Sequence, residues 1–109
     1  MQALFVYVTC KDKAEALEIG KALVEGRLAA CANIVDGMES IYWWEGKLES
    51  GKEAILILKT QENLLDTLTE KVKSLHSYSV PCVVGLPIVG GNADYLAWIA
   101  QETGASNNS

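Results

Sequence analysis

Residues 40–49, Ser-Ile-Tyr-Trp-Trp-Glu-Gly-Lys-Leu-Glu, constrain this chain more than any other stretch. They hold two of its three tryptophans beside a tyrosine, then break into a charged glycine turn. Successive side chains of an extended strand alternate between faces, so Tyr42 and Trp44 share one face and Ile41 and Trp43 the other. One half-exposed sheet cannot bury large rings on both sides. The strand is either covered on both faces or capped by a second chain, and the second chain is the expected answer. Tyr42, Trp43 and Trp44 are therefore assigned first to contact between subunits.

The rest of the chain reads as strands and helices in a definite order. Residues 3–9 are continuously apolar and rich in β-branched and aromatic side chains, which suits a strand buried on both faces. Asp12 followed by Glu15 makes a capping box that opens a helix, with Ala16, Ile19, Gly20, Leu23 and Val24 at helical spacing. Gly26 stands where a C′ glycine would end it. Residues 29–35 begin a second strand, interrupted at Asp36-Gly37 by an expected glycine bulge and resumed through Trp44. The reversal is expected between Gly46 and Gly51, and residues 53–60 form the third and most central strand. A second helix covers about 62–75, with Leu65, Leu68, Val72 and Leu75 on one face. Val80-Pro81 fixes an extended entry to a fourth strand over 82–89, which Pro87 places at an edge. Asn92 caps a last helix docked by Leu96 and Ile99, and residues 105–109 read as an unstructured polar tail.

This order is β-α-β-β-α-β plus a terminal helix, an α+β class and the ferredoxin-like arrangement. Residues 1–104 are expected to be one domain, with an antiparallel sheet and an extended hairpin between the second and third strands. Both crossover helices lie on one face of such a sheet. Phe5, Tyr7, Ile55 and Ile57 supply apolar groups to the other face, which is bare in a monomer, so a ring of subunits is expected.

With 109 residues, half of them hydrophobic, the chain has one core and is not disordered. Its net charge of −5 is spread out, and Arg27 is the one arginine. No basic cluster could follow a phosphate backbone, which argues against nucleic acid. The opening apolar run is too short for a membrane span and lacks the features of a leader, so the chain reads as cytoplasmic and soluble. Cys10, Cys31 and Cys82 are odd in number and none pair at CxxC spacing, so a disulfide framework is not indicated.

No phosphate loop, HExxH or nucleophile elbow is present, and no constellation predicts turnover; the chain is read as a non-enzyme. Gly90-Gly91-Asn92 could receive an anion at a helix N-terminus or serve only as a turn and cap. His76 and Cys82 flank a segment stiffened by Pro81, and imidazole with thiolate suits copper or zinc, with Cys10 or a neighbouring subunit adding ligands. Cys82 could equally be a small buried apolar group at a strand start. Trp44, Lys59, Tyr78 and Tyr95 are polar-tipped residues at element ends that could line a cleft between subunits, or pack with a wet tip.

Several uncommon blocks also occur in a recognisable order. They are Val8-Thr9 with Asp12, Arg27-Leu28-Ala29-Ala30-Cys31-Ala32-Asn33-Ile34, Ser40-Ile41-Tyr42-Trp43-Trp44-Glu45-Gly46-Lys47-Leu48 and Leu58-Lys59-Thr60. His76-Ser77-Tyr78-Ser79-Val80-Pro81, Leu86-Pro87-Ile88 and Gly91-Asn92-Ala93-Asp94-Tyr95-Leu96-Ala97-Trp98 follow. In these blocks the chain resembles the CutA divalent-cation-tolerance proteins over residues 3–102. The resemblance implies a tight homotrimer shaped like the PII signalling proteins, with hairpins pairing between subunits, and a link to tolerance of copper and other divalent ions. No obligatory cofactor is expected, and copper or another divalent metal ion is the candidate ligand. An alternative in the same frame is a PII-like signalling module that binds a small anionic metabolite or a partner protein. The family commonly reads His-Pro-Tyr-x-x-Pro-Glu where this chain reads His76-Ser77-Tyr78-Ser79-Val80-Pro81-Cys82. A thiol in place of that carboxylate favours Cu(I) or Zn²⁺ over hard ions.

Overall fold

The structure, a computed structural model, describes residues 1–104. The expected tail at 105–109 lies outside them. The elements are β1 (Ala3–Cys10), α1 (Lys13–Glu25), β2 (Cys31–Trp44), β3 (Lys47–Gln61), α2 (Leu65–Leu75, entered through one 3₁₀ turn), β4 (Val83–Pro87) and α3 (Ala93–Gln101). The four strands form one antiparallel sheet in the order β2-β3-β1-β4. This is the expected α+β arrangement, with β4 and its proline at an edge.

Strand alternation divides the sheet cleanly. Leu4, Val6, Val8 and Cys10 of β1 are registered with Thr60, Leu58, Leu56 and Ala54 of β3, and all eight are buried. They meet Ala16, Ile19 and Leu23 of α1 and Leu68 and Val72 of α2, so this face carries the core. The odd-numbered residues between them, Phe5, Tyr7 and Thr9 on β1 and Ile55, Ile57 and Lys59 on β3, are half-buried on the other face. Only the Ala3 end of that second face is closed. There Ile99 of α3 is buried against Ala3 and Ala30, and Gln61 Nε2 donates to Thr103 Oγ1 at 2.6 Å.

The helix starts follow their capping residues. Asp12 accepts the Glu15 N–H at 2.8 Å, and Asn92 accepts the Asp94 N–H at 3.0 Å, as Ncap side chains do. The end of α1 differs from expectation. Gly26 is the C-cap with φ −83°, and the left-handed residue is Arg27 at φ 62°. The Leu28 N–H then reaches back to the Leu23 carbonyl at 2.9 Å, so the closing turn falls one residue later.

The hairpin also turns earlier than the glycine spacing predicts. Trp44 pairs with Lys47, leaving a two-residue loop of Glu45 (φ 51°) and Gly46 (φ 80°). Two consecutive positive φ angles give the turn whose twist matches the flanking strands. Gly51 is consequently a strand residue opposite Ser40, and β3 runs from Lys47. The arm makes the molecule 48 Å long against 27 and 22 Å in the other directions.

The bulge lies where Asp36-Gly37 places it. Val35 pairs with Ile55 but Met38 pairs with Glu53, so β2 spends one residue more than β3, with Gly37 at φ 80°. That extra residue changes parity. Before it the odd residues Cys31, Asn33 and Val35 face the open side; after it the even residues Met38, Ser40, Tyr42 and Trp44 do. Ile41 and Trp43, 75% and 73% exposed, take the opposite face of the arm.

Candidate functional site

Parity and register together build a cleft at the base of the arm, about 560 Å³ in volume. Thr9 of β1, Ser40, Ile41, Tyr42 and Trp44 of β2, Glu53 of β3, and Tyr78, Ser79, Val80 and Cys82 from the segment before β4 line it. Glu53 is the one carboxylate of this lining. Its Oε1 accepts from Ser40 Oγ at 2.6 Å and its Oε2 from Tyr78 Oη at 2.7 Å. Burial, and then the hydrogen bond to Glu53, push the Tyr78 phenol up, so it stays a donor. The Cys82 thiol is raised by burial and by the facing Glu53 charge.

Directly behind Thr9 lies a second group. Cys10, Glu15 and His76 bring ligand-type atoms within 4.8 Å of one another. Every one of the polar atoms of Glu15 and His76 in this group already has a hydrogen-bond partner. Glu15 Oε1 accepts the Lys11 N–H at 2.9 Å and Oε2 the Ser77 N–H at 2.8 Å. His76 Nδ1 accepts the Tyr78 N–H at 3.0 Å, which leaves Nε2 to carry the proton and donate to the Thr9 carbonyl at 2.8 Å. Burial pushes the Cys10 thiol up to about 12, helped by the charges of Glu15, Glu53 and Asp12. Burial would raise Glu15 as well, but the hydrogen bonds from Lys11 and Ser77 outweigh it, and its carboxyl lies below the usual range. Chemically this is a brace that pins the 76–78 turn to β1 and to the start of α1.

The expected site residues therefore separate. Cys10 and His76 meet, with Glu15 as the third member, while Cys82 lines the cleft in front of them. Trp44 and Tyr78 also line the cleft, but Lys59 and Tyr95 do not. Those two come together at the far end of the open face, where Cys31 Sγ lies 3.7 Å from Lys59 Nζ and 3.6 Å from Tyr95 Oη. Sequence spacing does not mark Glu15, Glu53, Ser40 or Cys31 as site residues. Glu15 was legible only as a capping residue, and Glu53 only as the polar start of an apolar strand.

The family model described as CutA1 divalent ion tolerance protein matches residues 4–102. "Protein CutA 1, chloroplastic" of Oryza sativa is 50% identical over 101 residues, which is 93% of this chain and 57% of that protein. "Divalent-cation tolerance protein CutA" of Thermus thermophilus is 48% identical, covering 91% of this chain and 96% of it. Among solved structures, CutA1 from Oryza sativa superposes with a TM-score of 0.93 at 48% identity, covering 96% of each chain. The chain thus spans a little over half the length of its plant and mammalian relatives. These findings overturn the cytoplasmic expectation. The Oryza and Arabidopsis thaliana relatives are named chloroplastic. A neighbour from Archaeoglobus fulgidus, with a TM-score of 0.88 at 39% identity over 92% of this chain and 97% of its own, is called a periplasmic divalent cation tolerance protein. No helix among the described residues is long and apolar enough to cross a membrane. With the match running over nearly the whole described chain, in sequence and in structure, the chain belongs to the CutA1 divalent ion tolerance family.

Proposed function

We propose that the chain acts in divalent-cation tolerance as a homotrimeric metal-binding protein, not as a catalyst, and that its ions are held in the cleft at the base of the arm. The observation that carries this reading is a thiol and a carboxylate, Cys82 and Glu53, facing one cleft from different elements. Thiolate with carboxylate fits Cu(I) or Zn²⁺ better than Mg²⁺ or Ca²⁺. Tyr78 and Ser40 hold Glu53 in place, as outer partners commonly orient a metal ligand. His76 and Cys10 support the cleft from behind, because both His76 nitrogens are engaged and an ion there would have to break the brace.

The test is titration of the purified protein with Cu(I) or Zn²⁺ under reducing conditions. Cys82→Ser and Glu53→Gln are each expected to weaken binding at least tenfold, and affinity should rise with pH because the raised thiol must lose its proton. Unchanged curves for both variants would remove the ion from the cleft. His76→Ala is expected to lower stability more than affinity.

The trimer rests on unburied apolar surface. Ile41, Trp43 and Leu48 are largely exposed on the arm, and Val35, Val84 and Leu86 are about half exposed on the open face. Apolar side chains left exposed on the arm and on the open face of the sheet mark contact surfaces. Light scattering should return three chains per particle at micromolar concentration, and a monomer there would sink the assembly.

A further inference from the structure

The far end of the open face carries a charge without a counter-charge. Lys59 sits mid-strand, registered between Phe5 of β1 and Cys31 of β2, and is half-buried. Its short bond to the exposed Asn33 side chain brings the ammonium to the surface, where a ligand can reach it. No carboxylate among the described residues lies within 4 Å of its ammonium. Its partners are neutral, Asn33 Oδ1 at 2.6 Å and Cys31 Sγ at 3.7 Å. An ammonium has three N–H donors, so one is unspent.

The groups around it are also donors. With its oxygen turned to Lys59, the exposed Asn33 side chain keeps its amide nitrogen as the donor it has to offer. Tyr95, in the first turn of α3, brings its hydroxyl to 3.6 Å from Cys31 Sγ. That phenol is raised, first by the hydrogen bond with Cys31 and then by burial, so it stays protonated; with the Cys31 thiol as donor in their contact, its one O–H is left for a ligand. The rings of Tyr95 and Trp98 lie 5.5 Å apart, 41% and 36% exposed, as an apolar wall beside these donors. The chain as a whole carries a net charge of −5 and does not attract anions in general. Here three elements, β2, β3 and α3, converge an ammonium, an amide and a hydroxyl. Carboxylate and phosphate groups accept several hydrogen bonds at once, and charge-assisted ones are the stronger kind.

We propose that Lys59, Asn33 and Tyr95 form a binding site for a small oxyanion, a carboxylate or a phosphate, with Cys31 as its floor. The site lies six residues along β3 from Glu53, roughly 20 Å away at strand rise, and is independent of the metal reading. Its charge is opposite to that of the cleft.

Nuclear magnetic resonance titration of the full chain with inorganic phosphate and, separately, with succinate tests it, with chloride at matched ionic strength as the blank. Saturable shifts are expected at Cys31, Asn33, Lys59 and Tyr95 with one or both anions, and whichever saturates names the chemistry. Lys59→Met should weaken binding at least tenfold and Tyr95→Phe severalfold. Lys59→Arg should retain it, and Lys52→Met, out on the arm, should leave it unchanged. If Lys59→Met fails to fold, Tyr95→Phe and Lys59→Arg still decide the matter. No saturable shift with either anion, or equal affinity in Lys59→Met and Tyr95→Phe, overturns the site. So does a wild type silent to both anions whose Lys59→Met variant changes its sedimentation, because Lys59 then meets a carboxylate of a second copy.

Discussion

Leu56→Ala is expected to destabilise the protein by about 2–5 kcal/mol, the range for deleting a fully buried leucine side chain without collapse of the site. Leu56 is completely buried on β3, between Val8 of β1 and Ile34 of β2. Collapse is hindered because α1 is already as close as it can come. A Cβ on Gly20 would sit 3.1 Å from Leu56 Cδ1 and 3.0 Å from Ala32 Cβ, so the helix backbone rests on these side chains. Removing three carbons beneath it leaves a void that only backbone movement could fill. Denaturant unfolding at fixed protein concentration measures the loss, and a cost under about 1 kcal/mol would mean that the helix settles after all. Because Leu56 faces the helices, the variant should keep the oligomeric state of the parent.

Glu15→Ala is the second large effect, and it acts through hydrogen bonds instead of volume. Its carboxylate is buried and takes the backbone N–H groups of Lys11 and Ser77, which lie 66 residues apart in the chain. Each N–H left without a partner costs roughly 1–3 kcal/mol. Glu15→Gln keeps one acceptor and turns a donor toward the other N–H, so it should recover only part of the loss. The pH dependence follows from the lowered carboxyl. Since Glu15 holds its proton less tightly folded than unfolded, its contribution is fully present above the unfolded value of about 4.5 and is lost as pH falls through the lower folded value. Acid titration of stability should therefore be flatter below pH 4.5 in Glu15→Gln than in the parent. Identical slopes would mean that the carboxylate gains nothing from its partners. Loosening at Ser77 should also reach the cleft, since Tyr78 is the next residue and holds Glu53.

The parts of this architecture that sequence reveals are those set by local chemistry. Asp12 and Asn92 cap their helices because a short side-chain acceptor is needed at those positions, and Pro87 marks an edge because it has no N–H to give. Asp36-Gly37 reads as a bulge because strand alternation resumes beyond it. The hairpin turns earlier than its glycines suggest because a glutamate, Glu45, adopts a left-handed conformation, where spacing alone favours a pivot between Gly46 and Gly51. The site was less legible for a different reason. Trp44, Lys59, Tyr78 and Tyr95 are all polar-tipped residues near element ends, but strand length decides which end. Register puts Trp44 and Tyr78 with Glu53 and sends Lys59 and Tyr95 to the opposite margin of the sheet. Likewise Cys82 and His76 are close in sequence, yet His76 turns inward to Thr9 and Cys82 looks out into the cleft.

The bulge at Asp36-Gly37 makes the arm an odd–even code. Counting along β2, one extra residue decides which rings line the cleft and which are offered outward: with it, Tyr42 and Trp44 line the cleft and Trp43 is offered outward. Insertions and deletions in this segment are therefore not graded by their length. A change of two residues would shorten or lengthen the arm and keep its handed sides, whereas a change of one would turn it inside out. The grammar of the arm is binary, and drift in its length should proceed in pairs.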